Sequence, residues 1–208
     1  MSIEAFIFVL NRYATVRAGY PFRGGVEEVA DGGVGVVQMK DIESGGDVKW
    51  PGVIRTKLEG RPPQEWIEPG DILFVSRGPR FYAACVSQAP LPAVCSPHLH
   101  QLRVRSGMAL LPEFLAWQLN QTPLQRQIQA AAEGSNQLSI RRSVLASLTI
   151  SVPSLESQYR IVNLAKAARE ERALLQTLIV NREKQLDAIA QSLSEAPVAA
   201  AHPGNESP

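Results

Sequence analysis

Two cysteines and three histidines are all that this 208-residue sequence offers to a soft metal. Cys85 and Cys95 sit in strand-like segments, and no close ligand spacing joins them to a histidine. That argues against a structural zinc site and predicts two free thiols. Long hydrophobic runs are missing too: none approaches the roughly 20 uncharged apolar residues that a membrane-spanning helix needs. The start, MSIEAFIFVLNRY, carries Glu4 before a short apolar run and has no basic leader. A signal peptide is therefore not expected, and the cytoplasm is the default location. There is no G-x-x-x-x-G-K-[ST] phosphate loop and no G-x-S-x-G elbow. The glycines of GGVGVV at 32–37 open no helix, which argues against a dinucleotide site. What remains for catalysis is scattered. His98 and His100, two apart on a strand, read as partly exposed strand histidines. Asp41, Glu65, Glu68 and Asp71 are the carboxylates on which a metal-dependent nuclease could be built, although the Pro-Gly turn EPGD explains Asp71 by a turn role.

Lysine is the next scarcity. Of the 21 basic residues only five are Lys, and Arg supplies a rigid donor fork suited to phosphates and guanine edges. The net charge of +1 names no partner, but its distribution is uneven. Residues 72–112 contain no Asp or Glu, yet hold Arg77, Arg80, Arg103 and Arg105 with His98 and His100. Residues 134–155 are again without acid and hold Arg141 and Arg142. Acid-free basic stretches are the footprint expected of a nucleic-acid surface, with an ordinary solvated face as the alternative that charge alone leaves open.

Periodicity divides the chain. Residues 33–42, 70–78, 80–88 and 98–107 are short, rich in β-branched and aromatic residues, and bounded by Gly or Pro. They predict a twisted, barrel-like sheet rather than a parallel doubly wound one. Helical spacing then takes over at 111–121, with Pro112 fit for a first turn. Thr122-Pro123 reads as a new cap and first position, and Gly134 as a stop. Ser139 is placed to cap a short helix through about 147, and 148–153 is a strand. From Ser154 to about 193 nothing breaks a helix, and Ser154 offers an N-cap oxygen. Leu164, Ala168, Leu175, Leu178, Leu186, Ile189 and Leu193 recur on it at three-or-four spacing, interrupted by Glu171, Arg182 and Gln185 near the seam. A helix of about 38 residues is roughly 57 Å long, more than a domain of about 150 residues can bury. It is expected to pair as one arm of a coiled coil, with folding back on its own domain as the competing arrangement. The fold class is α+β: a mixed β-rich domain with short helices at 1–153, a spacer helix at 154–193, and a disordered tail at 194–208.

In this order, GYPF (19–22), VVQMKDI (36–42), IEPGDILFVSRG (67–78), LPEFLAWQLNQTPLQRQI (111–128) and AEGSNQLSIRRSVLASLTISVPSLESQYRIV (132–162) resemble a known family. They look like the target recognition domain and following helix of the DNA specificity (S) subunit of type I restriction–modification systems, over about residues 10–193. The resemblance implies a non-catalytic DNA reader that carries no cofactor or metal of its own, with the long helices forming an antiparallel coiled coil that spaces two recognition domains. Methyltransferase (M) subunits bearing S-adenosylmethionine would dock on it, with room for a restriction (R) subunit. Four departures stand out. One unit is present where the family carries two, and Ser157 precedes Gln158 where the family has Glu. The opening lacks the usual Trp and Leu-Asp pair, and the loop after Arg77-Gly78 is short. A single unit implies a homodimer reading an interrupted palindrome, or pairing with a second S-like chain. The alternative is a metal-dependent nuclease or a regulatory scaffold on the same domain.

Base reading is expected from donor-rich or aromatic loop residues: Arg17, Tyr20, Arg23, Lys40, Lys49, Arg77, Arg80 and Tyr82. Arg77 and Arg80 flank Gly78-Pro79, a turn able to present both forks to a groove. Ser135, Asn136 and Gln137 are read as structural, and Phe22 as core.

Overall fold

The computed structural model describes residues 4–195 except 30–31, 44–45, 59–61, 64 and 135–136. The chain divides into two compact units, 1–163 and 164–208.

The first unit is organised around one short strand. The run ILFV at β5 (Ile72–Val75) is buried at all four positions, so it reads as continuously apolar rather than alternating. Successive side chains of a strand point to opposite faces. Ile72 and Phe74 enter one core, and Leu73 and Val75 another. β5 lies third in a four-stranded antiparallel sheet with β2 (Ala14–Ala18), β8 (Leu99–Val104) and β6 (Tyr82–Cys85), in the order β2-β8-β5-β6. On one side pack α2 (Pro112–Leu119), α3 (Thr122–Ala131) and α4 (Arg142–Ala146), through Phe114, Leu119, Ile128 and Leu145. On the other side lies a three-stranded sheet of β4 (Ile54–Thr56), β3 (Val34–Val37) and β7 (Ala93–Cys95), which contributes Val37, Ala93 and Cys95, with Trp50 beside them. Within it β3 and β7 run parallel. The predicted barrel-like sheet is therefore two packed sheets, because β5 can bury both faces only with a layer on each.

A third pairing ties the chain ends of this unit together. β1 (Ala5–Val9) pairs antiparallel with β9 (Thr149–Pro153), and α1 (Leu10–Tyr13) leads from it into β2. The apolar start of the sequence is thus a strand whose partner lies more than a hundred residues away. Local pattern could not name that partner.

The joint after β9 is closed by Gln158. Its side chain is fully buried, and an amide so placed requires partners. Oε1 accepts from the Leu111 N–H at 2.8 Å, while Nε2 donates to the Ala109 carbonyl at 2.9 Å and the Pro153 carbonyl at 2.8 Å. Ser154 Oγ accepts from the Ser157 N–H at 3.3 Å, the N-cap expected for it. The first two turns of α5 (Leu155–Ser194) accordingly belong to the first unit, with Ile161 and Val162 against its core.

Three expected joints fall elsewhere. The cap position of α3 is Gln121, with Thr122 already helical. α3 ends at Ala131, and Gly134, at φ +118°, turns the chain back so that Glu133 and Ser139 bridge. Ser139 caps nothing: its backbone is engaged by Glu133, and α4 starts at Arg142 behind Arg141. Local signals marked the turn, but the pairing across it displaced the helix start. Ser135, Asn136 and residues 196–208 lie outside the described residues.

α5 has 40 residues, about 60 Å at 1.5 Å per residue. Along its second-unit part Leu164, Leu175, Leu178, Leu186, Ile189 and Leu193 are all exposed.

Candidate nucleic-acid interface

Several charges of the acid-free stretches are engaged within the fold. Arg103 donates from Nε to Asp71 Oδ1 at 2.7 Å and from a terminal nitrogen to Oδ2 at 2.8 Å, a bidentate pair. Glu68 stands 3.0 Å and Glu65 3.6 Å from the same guanidinium. The EPGD turn delivers these acids. The Asp71 carboxylate accepts from the Glu68 N–H at 2.7 Å, and Gln101 Nε2 donates to it at 2.7 Å. Asp71 is buried, and these donors satisfy its oxygens. The hydrogen bonds to Asp71, above all, hold Arg103 protonated well beyond its ordinary range. Three of the four scattered carboxylates thus close on one guanidinium, while Asp41 sits apart in its own 3-10 turn, Met39–Asp41.

Other charges are spent in the same way. Arg105 donates to the Asn11 carbonyl, and Arg141 pairs with Glu133 at 2.6 Å. His100 is buried rather than partly exposed. Its Nε2 lies 3.0 Å from the Ile140 carbonyl, and burial lowers its pKa below 6.5, so it serves the fold as neutral imidazole. Cys85 and Cys95 are free, and burial pushes both thiols up to about 12, which leaves them inert.

The eight expected reading residues fall into three places. Arg17, Tyr20 and Arg23 line one cavity of about 730 Å³, together with Glu65, Gln101, Cys95 and Arg142. Arg17 forms an ion pair with Glu65. Arg142, from the start of α4, joins the cavity across the fold, and only its membership of an acid-free stretch pointed to it. Gly19 makes the cavity wall possible. Its N–H donates to the Leu99 carbonyl and that of Tyr20 to the Cys95 carbonyl, which brings the backbone so close that a methyl at Gly19 would overlap the Ser96 carbonyl oxygen. The Tyr20 ring meets Phe22 edge-on at 4.8 Å, and Phe22, expected in the core, belongs to neither core cluster.

Lys40 and Lys49 flank a second hollow of about 560 Å³ with Asp41, Pro51 and Gly52. Asp41 is buried and its pKa is raised, mainly by that burial; its carboxylate accepts from the Gln38 N–H at 2.9 Å. The Lys49 N–H donates to the Asp41 carbonyl, which holds the two lysines on adjoining turns. Tyr82 reaches the same 3-10 turn that carries Lys40. It is half-buried, and its hydroxyl donates to the Met39 carbonyl at 3.2 Å.

Arg77 and Arg80 are exposed at the third place. Gly78 between them has φ +125° and donates to the Leu138 carbonyl, while Ile140 donates to the Ser76 carbonyl. The Gly-Pro turn is therefore pinned by the segment that precedes α4.

The first unit is a two-layered β domain with short helices on one face and a cavity at β2 that holds Arg17, Arg23 and Arg142, and a buried glutamine ties the first turns of α5 into it. The chain has the fold of type I restriction–modification S subunits. An S subunit from M. genitalium matches with a TM-score of 0.57 at 19% identity, covering 93% of this chain and 47% of that one. The HsdS subunit from Thermoanaerobacter tengcongensis matches with a TM-score of 0.61 at 20% identity, covering 90% and 43%. A chain from a study of complex assembly and conformational transition in a type I system matches at 0.65 and 19%, covering 90% and 44%. This chain therefore spans less than half the length of each. No family model and no curated protein sequence matches it.

Proposed function

We propose that this chain reads DNA sequence as one recognition unit of a type I restriction–modification specificity subunit. The observation that supports this is the likeness of domain and helix together, over about nine-tenths of the chain. In this reading the cavity of Arg17, Tyr20, Arg23 and Arg142 faces base edges, where Arg forks discriminate. Lys40 and Lys49 hold phosphates as point charges, and Arg77 and Arg80 steady the duplex beside them. The chain is non-catalytic. A cytoplasmic methyltransferase subunit supplies S-adenosylmethionine and the chemistry, and a restriction subunit adds to the complex. Two units pair through α5 and read an interrupted palindrome.

The test is methylome sequencing of cells that carry this protein with its methyltransferase partner, the partner alone, or neither. Modification at one bipartite motif is expected only when both are present. Modification that is unchanged by removing this chain would reject the reading.

A further inference from the structure

The cavity at β2 holds an acid where a phosphate clamp would have none. Glu65 lines it beside Arg17, Arg23 and Arg142, and forms an ion pair with Arg17. A carboxylate repels a phosphate and accepts from an amino group, so the mixed pair suits base edges better than a nucleic-acid backbone. One contact leaves most of each group's capacity for a ligand, because a guanidinium is a fork of several N–H donors and each carboxylate oxygen accepts more than once. The pair is also held stiffly. Arg17 stands opposite Gln101 in the register of β2 and β8, and Thr15 opposite Arg103, so Arg17, Gln101 and Arg103 share one face of the sheet. From that face Gln101 Nε2 and a terminal nitrogen of Arg103 donate to the Trp66 carbonyl at 3.1 and 3.0 Å. The Ile67 N–H donates to the Ala93 carbonyl at 2.9 Å. The backbone that carries Glu65 is thus pinned from β8 and β7, and Arg103 is itself anchored on the buried Asp71. Asp71, Arg103, Glu65 and Arg17 form a chain of alternating charge that ends in the cavity.

We infer that Arg17 and Glu65 together read one G·C base pair from the major groove, Arg17 on the guanine and Glu65 on its cytosine. This rests on the recognition function proposed above and names the base pair that its cavity takes. In a paired G·C the guanine O6 accepts from the cytosine N4 amino group at about 2.9 Å, so an acceptor and a donor lie side by side on the groove edge. A donor and an acceptor already in contact, as Arg17 and Glu65 are, match that spacing. Arg17 reaches guanine N7 as well as O6, the bidentate contact that a guanidinium fork favours, and Glu65 accepts from the cytosine amino group.

The other three base pairs fail on the same two groups. The reversed C·G pair sets the cytosine amino group against the guanidinium, and guanine O6 and N7 against the carboxylate. Thymine on the Arg17 side gives the fork one acceptor and sets adenine N7 against the carboxylate. Adenine on that side sets its amino group against the fork and thymine O4 against the carboxylate. Specificity therefore comes from repulsion of the wrong pairs as much as from attraction of the right one.

The experiment selects duplexes from a randomised pool with the full chain and its methyltransferase partner, and sequences those retained. The wild type should retain a motif in which one position is G·C, preferred at least about tenfold over each alternative. Arg17→Ala and Glu65→Gln should each lower that preference about tenfold at this one shared position and leave the rest of the motif unchanged. The unchanged positions show that both variants are folded. Combining the two should cost little more than the stronger alone, because they serve one base pair. Glu68→Gln removes a partner of Arg103 that stands outside the cavity lining, and should leave every position unchanged. Arg17→Ala and Glu65→Gln acting on different positions, on none, or on a shared position that is A·T overturns the inference and leaves the recognition function standing. The same loss from Glu68→Gln also overturns it, because Glu65 then acts only through the Arg103 network. A wild type that retains no motif rejects the recognition function, and this inference with it.

Discussion

Gly19 shows what one residue decides here. The motif GYPF is legible as a turn, but its glycine matters because the chain passes against the Ser96 carbonyl there. Gly19→Ala should cost about 1–3 kcal/mol, the range for forcing a methyl into a filled space, and urea unfolding will measure it. His100 makes a second residue-scale prediction. Burial favours its neutral form, so the folded pKa lies below 6.5. As pH falls through 6.5 the unfolded chain takes up the proton first, and stability declines until the folded pKa is reached. The urea midpoint should therefore drop between pH 7.5 and 5.5, and His100→Gln should flatten part of that slope. Arg103 illustrates the limit of one-dimensional charge. It lies in an acid-free stretch of sequence and in an acidic surrounding in space.

At the scale of elements, the strands were recognisable by composition and their partners were not. β5, β6 and β8 announce themselves as short apolar runs between turn residues, whereas β1 needs β9 to be a strand at all. Helices α2 and α3 were legible because their periodicity and turn chemistry are local, while α4 starts two to three residues later than its Ser139 signal suggests. The α5 joint carries the element-scale prediction. Gln158→Ala would leave the Leu111 N–H and the carbonyls of Ala109 and Pro153 without that partner. Each buried group left unmet costs about 1–3 kcal/mol, so a loss of at least about 3 kcal/mol is expected. Denaturant titration followed by circular dichroism will read it. Gln158→Glu should recover little, because a carboxylate keeps the acceptor and loses both donors.

For the whole molecule, charge placement predicts how DNA binding would respond to salt. Each phosphate neutralised adds about 0.9 to the slope of log affinity against log salt. Lys40→Ala and Lys49→Ala should each reduce that slope by about one and weaken all duplexes alike. Arg23→Ala should instead relax discrimination at one base pair by about 1–3 kcal/mol, with the slope little changed. Fluorescence anisotropy on a matched and a singly mismatched duplex, between 50 and 200 mM salt, separates the two outcomes.

The sequence by itself determined the class of the fold, the order of its parts and the long helix. These rest on periodicity, turn chemistry and caps, all of which act over a few residues. It also carried the polar interruptions of the α5 seam, because a heptad is local. Only the tertiary structure decided which charges remain available. It set Glu65, Glu68 and Asp71 around Arg103, buried His100, and brought Arg142 beside Arg17, Tyr20 and Arg23. The reason is physical. A charge acts on what lies within a few ångströms of it, and in a fold of antiparallel strands those neighbours come from distant parts of the chain.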